Sequence, residues 1–293
     1  MKVRETCRGF AALAAAFCVA ALGWAQSSTD LKHAVELYQK TQYRDALAIA
    51  ESAQPKTAPV YALIGQCYYM LENYKKAGES FEKAIAADPK DSLYRDWLGR
   101  AYGKRAESSN PFTAPFYARK ARDNFEKAVE LDPKDLEAVD DLFEYYLEAP
   151  GMLGGGADKA AQLSERIHTI APARYHSMQA RLAEKQKQIP AAEQHLKEAI
   201  EAAPDEVGRL VDLARFLARQ GRAAESDAAF ERASQLAPNR ADLKFQRARA
   251  YIDSGRNTDQ ARQLLQEYLK LALTPDDPPR ADAQKLLQKL TGG

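Results

Sequence analysis

The sequence is short of the residues that most catalytic and metal sites require. It has three cysteines and four histidines in 293 residues. Cys7 and Cys18 fall in an apolar N-terminal segment, so Cys67 is the one cysteine of the rest of the chain and has no disulfide partner there. No histidine pair has metal-ligand spacing beside a carboxylate or cysteine, and no Gly-x-Ser-x-Gly elbow occurs. We therefore predict no catalytic residue, no metal ligand and no cofactor, and we interpret Cys67 as a small buried hydrophobic residue.

The chain also lacks an excess of charge of either sign. It carries 42 lysines and arginines against 41 aspartates and glutamates. Such a balance offers no general attraction to a nucleic-acid backbone, and no acidic tail is present. With 28% charged and 45% hydrophobic residues, the composition excludes a disordered or collagen-like chain. The sequence therefore predicts a folded protein that does not bind nucleic acid.

Residues 1–25 have the pattern of a secretory signal peptide. Basic residues precede an apolar, uncharged run at 10–22, and the small residues Gly23 and Ala25 follow it. We expect cleavage after Ala25, with a cut after Gly23 as the alternative. The apolar run is short for a membrane span, although an uncleaved anchor is a second interpretation. We predict an exported protein of the periplasm without a membrane span after cleavage; secretion or anchoring through the uncleaved segment are the alternatives.

The remaining sequence repeats a pattern of small, aromatic and proline residues at helical spacing. The clearest unit has Gly65 and Tyr68 in a first helix, Ala77 and Phe81 in a second, and Pro89 after it. The pattern returns in Gly99, Tyr102, Ala121, Phe125 and Pro133, and again in Ala214, Leu217, Phe230 and Pro238. From Pro204 to Pro238 there are 34 residues. A fixed period of this length indicates a stack of helical units.

Each residue type that recurs in the pattern has a physical reason. Small residues predict that two antiparallel helices cross at close range, and the aromatic residues fill the space between units. Proline cannot continue a helix, so it marks the end of each second helix. Asp91 and Asp135 follow these prolines where a helix N-cap acceptor is needed. The units are therefore expected to be helix pairs.

This pattern resembles the tetratricopeptide-repeat family, and the signal segment resembles that of its exported bacterial members. The resemblance implies an all-α solenoid of stacked antiparallel helix pairs that form a right-handed superhelix with the first helices inside. We place about seven repeats at 27–273, insertions near 104–117 and 148–157, and a C-terminal capping helix at 277–290.

The resemblance also implies a binding groove along the first helices. Positions three and four residues apart share one face of a helix, which selects the groove residues. They are Gln66, Tyr69, Asp96, Arg100, Asp140, Glu144, Leu147, Arg215, Arg219, Phe245 and Arg249. Such a face suits an extended peptide or a partner helix. The alternative is that Arg100 pairs with Asp140 or Glu144 and that these residues are solvated structure.

The two insertions carry apolar side chains that form a second candidate surface. Phe112 and Phe116 belong to the first insertion, and Met152 and Leu153 to the second. Both insertions fall at the turn between first and second helix in consecutive units, so we expect them to lie side by side as a lip. The alternative is that these side chains fold back onto their own helices.

The sequence thus favours a non-catalytic protein-protein interaction scaffold of the bacterial cell envelope that binds a peptide or partner helix. One alternative is a structural subunit of a self-assembling or membrane-associated complex, which an exposed apolar patch near Phe112 and Met152 would favour. Another is a binder of small molecules or glycans that uses Tyr69, Phe245 and the insertion loops.

Overall fold

The computed structural model describes residues 30–291, and this part of the chain is helical without any β-strand. The predicted signal peptide lies outside the described residues. The helices are α1 (described part 30–39), α2 (Tyr43–Ser52), α3 (Ala58–Met70), α4 (Tyr74–Ala87), α5 (Ser92–Glu107), α6 (Ala114–Leu131), α7 (Leu136–Glu148), α8 (Ala157–Glu165), α9 (Pro172–Lys185), α10 (Ile189–Ala202), α11 (Val207–Arg219), α12 (Ala223–Leu236), α13 (Asp242–Asp253), α14 (Thr258–Tyr268) and α15 (Arg280–Thr291). None of these helices combines the length and apolar character that a membrane crossing requires.

The described helices form two compact units, one of residues 30–132 and one of residues 133–291. In the first unit, α3 packs on α4 and α5 on α6; in the second, α9 packs on α10, α11 on α12 and α13 on α14. Each pair is joined by a short turn, so its helices run antiparallel. The predicted all-α fold of repeated helix pairs is confirmed.

The small residues of the pattern lie where the two helices of a pair cross. A Cβ atom on Gly65 would lie 2.7 Å from the Phe81 ring, and one on Gly99 would lie 2.6 Å from the Phe125 ring. Both distances are shorter than any normal carbon–carbon contact. Phe81 and Phe125 are buried. The close crossing predicted from the sequence is therefore present, and glycine is what permits it.

The predicted helix boundaries follow from local chemistry. The Asp91 carboxylate accepts a hydrogen bond from the Leu93 amide at 3.0 Å, and the Asp135 carboxylate accepts one from the Glu137 amide at 3.1 Å. These aspartates satisfy amide groups at the first turns of α5 and α7. Helices α4, α6, α10 and α12 each end two residues before a proline.

The two insertions fold differently. The first lengthens its helix pair, because α5 has 16 residues and α6 has 18, compared with 14 in α4. The second contains a short 3-10 helix, Gly151–Leu153, followed by Gly154 and Gly156 with φ angles of 89° and 151°. Only glycine adopts such angles readily, which explains the glycine run.

Cys67 lies in the core of the first unit with Val60, Leu63 and Ile64 from the same helix. Its side chain is fully buried, and burial raises the pKa of the thiol to about 12. A thiol with this pKa is neutral at physiological pH and is a poor nucleophile. The interpretation of Cys67 as a small buried hydrophobic residue is confirmed.

Candidate functional site

The second unit contains a cavity of about 450 Å³ that is bordered by α7, α9 and α11, with one residue from α10. Phe216 and Leu196 are among its apolar lining residues. Six charged side chains surround it: Glu144, Arg181, Glu184, Asp212, Arg215 and Arg219. Three of them are cations and three are carboxylates, so the cavity is strongly polar while carrying little net charge.

Ion pairs join neighbouring first helices around this cavity. The earlier helix supplies the carboxylate and the later helix supplies the cation in every case. The pairs are Asp140–Arg174 at 2.9 Å, Glu148–Lys185 at 2.7 Å, Glu144–Arg181, and Glu184–Arg219 with two hydrogen bonds of 2.8 Å. Exposed pairs of this kind stabilise a fold by only about 0–1 kcal/mol each. Their main effect is to hold long side chains in fixed positions beside the cavity.

Arg215 differs from the other cations of the cavity. No carboxylate oxygen of residues 30–291 lies within 4.0 Å of its guanidinium group. Burial lowers the pKa of Arg215, and the nearby cations Arg249 and Arg219 lower it further, against a weaker opposite effect of Asp212 and Asp253. The group therefore has hydrogen-bond donors available beside two other arginines, Arg219 and Arg249.

Asp212 lies one helical turn before Arg215 on the same face of α11. Burial raises the pKa of its carboxyl group, although four arginines around it act in the opposite direction. The nearest of them, Arg209, approaches to 3.7 Å and also donates a hydrogen bond to the Ser177 hydroxyl at 2.9 Å. Arg209 thus links α9 to α11 at one end of the cavity.

The structure brings three predicted groove residues together at this cavity, namely Glu144, Arg215 and Arg219. The predicted groove residues include none from α9. Helix α9 has 14 residues, as many as α10, and it contributes Arg181 and Glu184. The same groove register applied to α9 would have identified both.

Three predicted groove residues are buried and cannot reach a partner. Asp96 is 1% exposed, Phe245 is 4% exposed and Leu147 is 7% exposed. Asp96 and Phe245 each precede a small crossing residue by three positions, and Leu147 follows the buried Phe143 by four, so all three share the core-facing side of their helices. Their assignment to the groove was therefore wrong. Because Phe245 is buried, it is also not available to bind a small molecule or glycan.

The predicted groove residues of the first unit form an aromatic and cationic cluster. The Tyr69 and Trp97 rings meet edge to face at 5.3 Å, and the Arg100 guanidinium lies 5.0 Å from the Trp97 ring centre. Arg100 also pairs with the buried Asp96 on its own helix at 2.8 Å. Gln66 is half-buried nearby on α3. Trp97, which the sequence reasoning omitted, holds this cluster together.

The remaining candidates have local partners or solvent exposure. Arg249 lies 3.7 Å from Asp253 on α13, and both side chains are about half exposed. In the insertions, Phe112 is 94% exposed and Met152 is 84% exposed, so neither folds back onto its own helix. Phe116 is exposed beside the Tyr117 ring, and Leu153 is half-buried. That the two insertions lie side by side stays a prediction.

Comparison with known proteins identifies the repeat. Family models described as "Tetratricopeptide repeat" match residues 58–91, 177–226 and 211–278. A tetratricopeptide repeat protein from Parabacteroides merdae is similar in structure with a TM-score of 0.59 and 15% identity, covering 91% of this chain and 99% of that one. A thermophilic protein of this type from Thermus thermophilus gives a TM-score of 0.53 with 20% identity, covering 65% and 98%.

A curated relative matches over a short stretch. Anaphase-promoting complex subunit 3 of Dictyostelium discoideum is 38% identical over 66 residues, which is 22% of this chain. The match spans only 7% of the length of that protein. The similarity is therefore limited to the repeat and does not extend over the two whole proteins.

Proposed function

We propose that this chain, which carries tetratricopeptide repeats, is a non-catalytic scaffold that binds a protein partner. Proteins with these repeats generally mediate protein-protein interactions, and the fold is typical of non-catalytic scaffolds. Stacked helix pairs present a long surface on which an extended peptide or a helix can lie. The proposal therefore requires a site on this surface where a partner can bind.

The cavity beside α7, α9 and α11 is the proposed binding site, and the observation that carries it is Arg215. Arg181 and Arg219 are already engaged by Glu144 and Glu184, whereas Arg215 has no carboxylate within 4.0 Å among the described residues. An acidic side chain or a terminal carboxylate of a partner could accept two parallel hydrogen bonds from this guanidinium. Because the surroundings are partly desolvated, such a bond would be stronger than one on open surface.

The partner that fits is an extended peptide or helix with one carboxylate flanked by uncharged residues. A densely acidic segment would meet Glu144, Glu184 and Asp212 as well as the arginines, and like charges would repel it. We further propose that binding takes place in the bacterial cell envelope, in the periplasm. Support for that location comes from the signal-like pattern of residues 1–25.

The test is cross-linking in the cell followed by capture of the tagged chain, with two charge-reversal variants. Arg215→Glu changes the cavity, and Arg232→Glu makes the same change at an exposed position of α12 in the same unit. We expect a partner that is recovered by the wild type and by Arg232→Glu and is lost with Arg215→Glu. Binding of that purified partner should weaken at least about tenfold with Arg215→Glu, since a charge-assisted hydrogen bond contributes about 1.5–3 kcal/mol. Equal recovery by both variants would move the site away from the cavity.

A structural subunit that associates with copies of itself is a second candidate function. It is favoured by two exposed apolar rings in the first unit, Phe112 in the turn before α6 and Phe116 in the first turn of α6. Light scattering on the purified chain measures its molar mass and so distinguishes a self-associating subunit from a scaffold that binds another protein. A concentration-dependent rise in mass that Phe112→Ser abolishes would support self-association, and a monomer at all concentrations would count against it.

A further inference from the structure

Two histidines and a glutamate, none of which lines the arginine cavity, meet at the interface between α9 and α10. The Nδ1 atoms of His176 and His195 lie 3.3 Å apart. One carboxylate oxygen of Glu198, Oε2, is 3.0 Å from the His176 Nδ1 and 2.9 Å from the His195 Nδ1. These three ligand atoms lie within 4.8 Å of one another. They are the one such group of histidine, cysteine and carboxylate residues within residues 30–291.

The fold creates this group from positions that are distant in sequence. Glu198 follows His195 by three residues on α10, which places both on one face of the helix. His176 comes from α9, 19 residues before His195, and reaches them because α9 and α10 form one helix pair. All three side chains are partly exposed, so an ion from solvent can reach them.

The glutamate is oriented for this arrangement by a neighbour. Its other oxygen, Oε1, accepts a hydrogen bond from the Gln194 side-chain amide at 3.0 Å. With Oε1 held in this way, Oε2 is directed at both imidazoles. Hydrogen bonds of this kind orient the ligands in metal sites and adjust their affinity.

The distances fit the face of a metal coordination polyhedron. With metal–ligand bonds of about 2.0–2.1 Å, two ligand atoms lie about 3.3 Å apart at a tetrahedral angle and about 2.9 Å apart at a right angle. The observed separations of 2.9, 3.0 and 3.3 Å cover this range. The separations of the three atoms therefore match those expected around one ion.

We propose that His176, His195 and Glu198 bind one divalent transition-metal ion of the zinc class, which bridges the two helices of this repeat. Imidazole nitrogens favour Zn²⁺, Cu²⁺, Ni²⁺ and Co²⁺, whereas Mg²⁺ and Ca²⁺ require mostly oxygen ligands. Three protein ligands leave at least one coordination position for water or for a group from a partner. A ring nitrogen that ligates a metal carries no proton, so both Nδ1 atoms bind the ion in their deprotonated form.

The test is a zinc titration of the chain without a polyhistidine tag, in competition with a chromophoric chelator. We expect one Zn²⁺ per chain, a higher melting temperature with Zn²⁺, and no response to Mg²⁺. His176→Gln and Glu198→Gln should each weaken Zn²⁺ binding at least about tenfold, because even the loss of an orienting neighbour costs 10–100-fold in metal affinity. Gln194→Ala should weaken it by a smaller factor.

His33→Gln is the matched control. His33 has Glu36 three residues later at 3.9 Å, the same spacing as His195 and Glu198, but α1 brings no second histidine to it. Circular dichroism of each variant establishes that the helices remain folded, and Glu198→Gln tests the site from α10 if a change on α9 disturbs the fold. The proposal is overturned if the wild type binds Zn²⁺ no more tightly than His176→Gln and Glu198→Gln do, or if His33→Gln weakens binding as much as they do.

Discussion

The tight crossing of α5 and α6 allows a quantitative test of the packing, using two glycines on one helix. Gly99 and Gly103 both lie inside α5, one turn apart. A Cβ atom at Gly99 would lie 2.6 Å from the ring of the buried Phe125, while one at Gly103 would have no atom within 4 Å. Replacement by alanine raises helix propensity by about 0.8–1 kcal/mol at either site. The two variants therefore differ only in packing.

We expect Gly103→Ala to stabilise the chain by up to about 1 kcal/mol. Gly99→Ala gains the same propensity but must displace the Phe125 ring, and overpacking of this kind costs about 1–3 kcal/mol. The free energy of unfolding should therefore differ between the variants by about 1–3 kcal/mol, with Gly103→Ala the more stable. Urea unfolding followed by circular dichroism measures this difference.

The comparison also has an internal scale. A Cβ atom at Gly78 would lie at an ordinary 3.6 Å from Leu98, so Gly78→Ala should behave like Gly103→Ala. Gly99→Trp, a far larger side chain at the crossing, should destabilise the chain more than Gly99→Ala does. If Gly99→Ala unfolds at the same urea concentration as Gly103→Ala, the crossing is looser than the structure indicates and the reasoning is refuted.

Two further predictions concern titratable groups. Burial raises the pKa of Asp140 from 3.8 to about 6, so its favourable contribution to folding is full below pH 3.8 and is lost as the pH rises through 6. The free energy of unfolding of Asp140→Asn, relative to wild type, should thus be higher at pH 8 than at pH 4.5. The change should be less than about 1 kcal/mol because the Asp140 side chain is 40% exposed. Urea unfolding at both pH values measures it, and an equal difference between variant and wild type at the two pH values would contradict the prediction. Cys67, with a pKa near 12, should react with a thiol reagent only when α3 opens. In the chain from Gln26 onward, where Cys67 is the one cysteine, the rate of labelling should therefore rise with urea concentration. Rapid labelling of the folded chain would show instead that the thiol is accessible.

The sequence was sufficient to predict the fold because the same residues solve the same packing problem in each unit. Gly65 and Gly99 had to be small, and their neighbours Phe81 and Phe125 had to be large, for two helices to cross at the observed distance. These requirements are local, since both helices of a pair lie within about one repeat of each other in sequence. The helix starts at Asp91 and Asp135 are equally local.

The groove was predicted less well because its register depends on which side of a helix meets the next helix. Residues one position after the small crossing residue, such as Arg100 and Arg215, remain accessible, whereas Asp96, three positions before it, is buried. Helical spacing alone does not separate these two cases, because both lie within one turn of the crossing. The burial of Asp96 also explains its pairing with Arg100, since a buried carboxylate needs a cation or hydrogen-bond donors.

The histidine cluster shows a second limit on prediction from sequence. Ligand motifs are recognised by spacing along one helix, and His195 with Glu198 offers only two ligands in that way. The third, His176, arrives from the preceding helix, and its position depends on the turn between α9 and α10 and on the angle at which they cross. In a helical repeat every first helix faces its own second helix, so a site divided between the two is built by the same contact that forms the repeat. Ligand sets in such a chain are therefore best sought among residues that face each other across this contact. The arginine cavity differs, because it is formed by the first helices of three consecutive pairs and so depends on how the pairs stack.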